Sequence, residues 1–293
     1  MIPRDVEDKI ARYVFLGIAI FSISIIFLIF IFLFREAYPA IETLGTELLS
    51  ADWGTRQENY GLLAALYGSV LVAVGALVVA VPLGLGASIY LSEIAPDRLR
   101  TILKPSIELL AGIPSIVYGF VGAVLLGSFL YRTFGMKSPL SFLAAMIILG
   151  IMALPIIVSM SDDALKAVPD DVKDASLALG ATKWQTIRKV TIPSAISGIS
   201  SAVIMGMGRA IGETMAVMLI VGSVMRIPVP FFDIFESGNT LTALIAVQIG
   251  EAHGLLMSVL FTAGVMLFTI VAIMSIISDM LQKRTTEKFE GES

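Results

Sequence analysis

Six long stretches of the chain, residues 14–34, 59–92, 109–131, 138–161, 190–225 and 252–278, carry no acidic or basic side chain apart from Arg209 and Glu213 in the fifth. Each is long enough to cross about 30 Å of hydrocarbon as a helix. The pattern predicts an all-α, polytopic membrane protein with six spans. Phe21, Phe27, Phe30, Phe32 and Phe34 crowd the first stretch, which has few small residues. Its helix is expected to face lipid outside the working core. The second and fifth stretches carry Gly68, Gly75, Gly84 and Gly86, and Gly206, Gly208 and Gly212. Small residues let helix backbones approach closely, so helix-on-helix packing is expected there. Pro82, Pro114 and Pro155 lie inside apolar runs, where each removes a backbone donor and bends or breaks a helix.

The polar segments order these spans into an N-terminal tail, first helix and loop (1–61), a transmembrane core (62–281) and a C-terminal tail (282–293). Residues 35–61 read as an extracytoplasmic loop with weak helical character over 40–49, acidic through Glu36, Glu42, Glu47, Asp52 and Glu58. Fourteen Lys and Arg residues fall on one side of the six spans and five on the other. The richer side is cytoplasmic by the positive-inside tendency, which places both termini there. The first apolar run is too long for a typical signal segment and no A-x-A-like site follows it, so it is expected to be retained.

Composition agrees with this reading: 57% hydrophobic residues, 15% charged residues and a mean hydropathy of +0.90 exclude an ordinary soluble domain. Without cysteine there is no disulfide framework, thiol chemistry or thiolate metal site. No cluster of His, Asp or Glu lies within a span, which argues against an intramembrane enzyme or metal centre.

Arg209 and Glu213 are therefore the chemical anomaly. An Arg at the bilayer centre costs about 2.5–3.5 kcal/mol on insertion scales, and such residues usually face a bundle interior or wet cavity. A structural i,i+4 pair is one account. A substrate-pathway site is the other, because a guanidinium binds an oxyanion bidentately. Counting residues puts Arg209 close to the midplane, where transporter sites lie. Ser115, Tyr118 and Thr214 are candidate wall hydroxyls. Glu108 reads as interfacial, and His253 as structural.

The polar segment 162–193 reads as two short helices joined at a glycine. Pro169 suits the first helical position, with Asp170 and Asp171 in the first turn. Gly180 suits the stop after the helix. Thr182 and Gln185 form a capping box that restarts a helix through Trp184, Ile187 and Val190, and Pro193 ends the loop.

Asp174-Ala175-Ser176, then Gly180 after three residues and Val190-Thr191-Ile192-Pro193 after nine more, resembles the EAA loop of ABC importer permeases, with Asp, Ser, Val and Ile as conservative departures. The segments Glu108-Leu109-Leu110-Ala111-Gly112-Ile113-Pro114-Ser115-Ile116-Val117-Tyr118-Gly119 and Gly208-Arg209-Ala210-Ile211-Gly212-Glu213-Thr214-Met215-Ala216-Val217 resemble the signature segments of phosphate-specific permeases. The exit Phe34-Arg35-Glu36-Ala37 and the approach Trp53 to Tyr60-Gly61 are more similar to the PstC type than to its PstA-type paralogue. The resemblance implies a type I ABC importer permease (MetI-like) core of five helices plus a peripheral first helix. It implies Arg209, Glu213, Ser115, Tyr118 and Thr214 along the substrate path, and Asp174, Ala175, Ser176, Gly180 and Pro193 in an ATPase-coupling loop. Implied partners are a PstA-type permease, a dimeric PstB-type ATPase, an external PstS-type phosphate-binding protein and the lipid bilayer, with no nucleic acid.

The chain has no G-x-x-x-x-G-K-[ST] sequence with which to cradle ATP, so no cofactor is expected on it and ATP falls to the partner. Two roles for Glu213 stay open: neutralising Arg209 in the empty site, or accepting a hydrogen bond from a protonated phosphate oxygen, which sulfate lacks. A PstA-type subunit, a permease for sulfate, molybdate or tungstate, and a passive anion channel are the alternatives.

Overall fold

The computed structural model describes the backbone of residues 4–54 and 59–290 and the side chains of 12–54, 59–277 and 279–280. Arg4, Lys9, Arg56, Glu58, Lys283, Arg284 and Lys288, which enter the charge pattern above, lie outside the described side chains.

Helix α1 (Arg4–Leu44) continues nearly three turns beyond the expected end of the first span, and a 3-10 turn (Gly45–Leu49) follows. The stretch expected as a loop is thus largely helical, and Glu36 and Glu42 ride on the helix. Strands β1 (Trp53–Gly54) and β2 (Asn59–Tyr60) pair antiparallel, Trp53 opposite Tyr60. The second span is α2 (Leu63–Ile89) prolonged by a π-helical turn (Tyr90–Ile94).

An unforeseen element follows. Helix α3 (Asp97–Ala111) buries none of its residues, and Glu108 lies exposed upon it. The third span therefore starts at Ser115 rather than near residue 109. Pro114 precedes that helix instead of kinking it, because proline in extended backbone halts a helix and suits the next one's start. That span comprises α4 (Ser115–Val121), a π-helical turn (Gly122–Gly127) and α5 (Ser128–Phe134). The fourth is α6 (Phe142–Lys166), capped by Ser141, whose hydroxyl accepts from the Ala144 N–H at 3.2 Å.

The loop beyond holds α7 (Asp170–Ala178), α8 (Lys183–Thr186), a π-helical turn (Ile187–Thr191) and α9 (Ile192–Ser194). A 69° bend then leads into α10 (Ile196–Gly212), so the fifth stretch is a broken span. Short helices α11 (Met215–Ile220) and α12 (Leu241–Gln248) flank the non-helical segment 221–240, and α13 (Leu255–Glu290) supplies the last span. The C-terminal tail from 282 is helical as far as Glu290. Among the described residues five helices are long and apolar enough to cross a membrane, or six if the bent pair counts as one span.

Packing follows the small residues only in part. Gly75 lies against Met146, and Gly84 and Gly206 both lie against Ile157, which seats α2 and α10 on α6. Gly68 abuts Asn239. Gly86, Gly208 and Gly212 meet nothing within 4 Å, contrary to the expectation for them. Phe142, Leu149, Val217 and Ile220 centre the main core. Helix α1 leans on α13 through Phe30–Phe268 and Phe32–Phe261 ring contacts at 5.1 and 5.9 Å, and its end buries Ala40 in a cluster with Leu62 and Leu241. Its apolar window has no buried residue, as a peripheral helix should.

Asp162, expected to open the loop, belongs to the last turns of α6 and is fully buried. Lys104 reaches it at 2.9 Å, Arg100 at 3.5 Å and Lys166 more closely still, so α3 is pinned to α6 by charge. Hydrogen bonds to Asp162 and Asp163 push the Lys104 ammonium above its ordinary pKa, against the cost of burial.

Candidate substrate pathway

The apolar face of α10 turns toward α6, and its last turn ends in Arg209-Ala210-Ile211-Gly212. Arg209 lies thirteen residues beyond Ile196, about 20 Å along the helix. Glu213 is already off the helix, in extended backbone at φ −71°, ψ 127°. The pair is thus not the continuous i,i+4 helix face expected. It spans a break, the discontinuous geometry that transporters place at their sites.

Three contacts hold Glu213. Its Oε1 accepts from the Ala216 N–H at 3.3 Å, capping the first turn of α11 where a carboxylate is favoured. Thr242 on α12 donates its hydroxyl to the Glu213 carbonyl at 3.0 Å. The Arg209 Nη2 stands 3.6 Å from Oε2. Only 6% of the Glu213 side chain is exposed, against 43% of Arg209. Among the described residues this is the one ion pair of Arg209, and no hydrogen bond to another side chain or to backbone engages its guanidinium.

Helix α4 forms the neighbouring wall. Gly119 packs on Ala216 so tightly that an added Cβ would come within 2.9 Å of its Cα. One residue earlier, Tyr118 lies within electrostatic reach of Arg209 and donates its hydroxyl to the Leu110 carbonyl at 2.8 Å. The Thr214 hydroxyl faces the Gly212 carbonyl at 3.4 Å. Arg209, Glu213, Thr214 and Tyr118 are thus brought together, but both hydroxyls are engaged by backbone. Ser115 stands one turn before Tyr118 on α4, and no contact among the described residues ties it to the pair. His253 lies exposed between α12 and α13.

Sequence reasoning missed Thr242, and it gave Gly119 no role although that glycine ends the segment from Glu108 that resembles the phosphate-specific permeases. Only the fold brings the two beside residue 213. It also missed a polar knot in the segment after α11, where Arg226 (2.6 Å) and Lys137 both hold Glu236. The Lys137 ammonium, with Arg226 adding to it, keeps the Glu236 carboxyl below the ordinary carboxylate range despite partial burial.

On the opposite side, α7 and α8 enclose a groove of about 590 Å³ lined by Ala175, Ser176, Gly180 and Gln185 among others. Helix α7 ends in a Schellman turn: Gly180 N–H donates to Leu177 O at 3.0 Å and Ala181 N–H to Ser176 O at 3.2 Å, with Gly180 at φ +88°. The capping box is complete, Thr182 N–H to Gln185 Oε1 at 2.8 Å and Gln185 N–H to Thr182 Oγ1 at 3.3 Å. Pro169 takes the cap position rather than the first helical one, because its ψ of 137° is extended. Pro193 lies within α9, just before the bend. Asp174 and Ala175 are exposed, while Ser176 pairs with Thr186 at 3.0 Å. Leu179 at the loop tip is 90% exposed.

Comparison with known proteins gives the same picture. Residues 80–287 match the family described as the binding-protein-dependent transport system inner membrane component. A probable ABC transporter permease of Bacillus subtilis is 36% identical over 85% of this chain and 81% of its own length. The phosphate transport system permease protein PstC of Mesorhizobium japonicum is 36% identical over 81% of this chain and 78% of its own. Among solved structures, the inward-facing MetNI methionine ABC transporter superposes with a TM-score of 0.62 at 21% identity, covering 77% of this chain and 96% of that one, and so shares its fold. A broken fifth span, a two-helix loop and these relatives converge: the chain belongs to the inner membrane components of binding-protein-dependent transport systems, and among them to the PstC-type permeases.

Proposed function

We propose that this permease passes inorganic phosphate through a site built on Arg209 and Glu213, as one half of an ATP-driven importer. The supporting observation is the asymmetry of the pair. Glu213 is buried and held by Ala216 and Arg209, whereas Arg209 is 43% exposed and makes no other ion pair among the described residues. A guanidinium so backed is pre-oriented for two phosphate oxygens, and a contact of 3.6 Å is loose enough to be exchanged for them. Glu213 keeps a lone pair for a protonated phosphate oxygen, which sulfate does not offer at neutral pH. Handing the anion onward calls for transient binding.

The partners in this reading are a PstA-type permease facing the exposed side of Arg209, an external PstS-type binding protein, and a dimeric PstB-type ATPase seated on the groove between α7 and α8. The loop with Asp174, Ala175, Ser176, Gly180 and Pro193 transmits the ATPase motion, and hydrolysis rocks the halves between inward- and outward-facing states. Both termini are cytoplasmic, on the side rich in Lys and Arg. Cysteines placed at Asp52 and Asp171 of this cysteine-free chain then label from opposite membrane faces, and labelling from one face rejects the orientation. For the substrate, the test is uptake by the assembled transporter in proteoliposomes. Phosphate uptake that requires ATP and binding protein, and resists excess sulfate, is expected; equal competition by sulfate contradicts the assignment.

A further inference from the structure

Helix α7 buries none of its nine residues, so its hold on the rest of the molecule needs a specific contact. Lys173 supplies it. Its Nζ donates to Glu93 Oε1 at 2.9 Å, eighty residues earlier, and the two side chains are only 17% and 10% exposed. Among the described residues it is the one hydrogen bond or ion pair from α7 to the second span. The alternative partner Asp170 is 3.9 Å away and 91% exposed, where solvent weakens the attraction.

Glu93 sits on the π-helical turn that ends the second span, in which the Ala95 N–H reaches back to Tyr90 O at 2.7 Å. Helix α2 beneath it is locked to α6 and α10, since Gly84 and Gly206 lie on the same Ile157 side chain. The loop is continuous in sequence with α6 and α10, and among the described residues this pair is its one polar contact with the second span. We propose that Lys173 and Glu93 are positioning residues that harness α2 to the loop, so that motion imposed on α7 moves α2, α6 and α10 as one body. An ion pair suits this task better than an apolar contact. It is directional, and pulling it apart leaves two poorly solvated charges.

The inference rests on the loop being the element an ATPase pushes, and the experiment separates the two. The assembled transporter is prepared in proteoliposomes with Lys173→Glu, Glu93→Lys and the double exchange. Three quantities are read: co-purification of the ATPase, ATP hydrolysis, and phosphate moved per ATP. Failure of the ATPase to co-purify with the parental chain defeats the loop reading itself and this inference with it. With the ATPase retained, each single reversal is expected to lower phosphate per ATP about fivefold while hydrolysis continues. The double exchange should restore the ratio to within about twofold, as a direct pair requires. Unchanged coupling in both single reversals overturns the proposal. So does a double exchange that recovers thermal stability but not the ratio, since the pair is then only structural.

Discussion

Arg209 and Glu213 approach to 3.6 Å across the end of a helix, not along its side. The break places a carboxylate at the start of α11 and leaves the guanidinium at the end of α10, so the two are carried by different elements. Any rotation of α11 against α10 alters their spacing.

The seating of α4 on α11 is therefore expected to matter for transport. Gly119→Val puts atoms where Ala216 backbone already stands, and overpacking of this kind costs about 1–3 kcal/mol. Lower thermal stability and reduced uptake are expected together. Gly86→Ala serves as the control, because nothing lies within 4 Å and alanine favours the helix by roughly 0.5–1 kcal/mol. Equal behaviour of the two variants contradicts this packing.

Gly180 at φ +88° turns the loop between α7 and α8. A β-branched residue is disfavoured there by about 1–2 kcal/mol, enough to open the Schellman turn and reshape the groove. For Gly180→Val we expect membrane insertion to persist while ATPase co-purification and uptake fall. Unaltered ATPase association in that variant removes the loop as the docking element.

Glu236 gives a pH dependence of definite sign. Its carboxyl is held below the ordinary range by Lys137 and Arg226, so its contribution is complete at neutral pH and is lost as pH falls through the depressed value. Hydrogen exchange of segment 221–240 should be slower in the parent than in Glu236→Gln at pH 7. The difference, corrected for intrinsic exchange, should begin to shrink as pH falls below the ordinary carboxylate value of about 4.3 and vanish only below the depressed one. A constant difference across that range contradicts the role of the ion pairs.

Much of this architecture was legible because hydrocarbon imposes length and composition: α2, α6 and α13 follow directly from their uncharged runs. The loop was legible for a different reason. Gly180, Thr182 and Gln185 act through local backbone chemistry, which spacing alone encodes. What escaped were breaks and surface helices. Apolar runs do not say where a helix stops within them, so Pro114 read as a kink and Glu213 as a helical residue. Helix α3 was hidden because an amphipathic segment over 97–111 is too polar to register as a span. Asp162 read as the start of a loop because its cations Arg100 and Lys104 come from another helix. At the site, Arg209 and Glu213 stood out as charges in apolar sequence, whereas Thr242 and Gly119 act through proximity that only the tertiary fold creates.

The most direct test is ATP-driven uptake in proteoliposomes by Arg209→Lys and Glu213→Gln, with phosphate and sulfate in competition and complex assembly measured in parallel. Arg209→Lys keeps the charge but loses the fork, so uptake is expected to fall roughly tenfold or more in an intact complex. Glu213→Gln keeps the shape, and its preference for phosphate over sulfate is expected to narrow. Parental uptake by Arg209→Lys, or loss of uptake in both variants only through failed assembly, makes the pair structural and contradicts the substrate site.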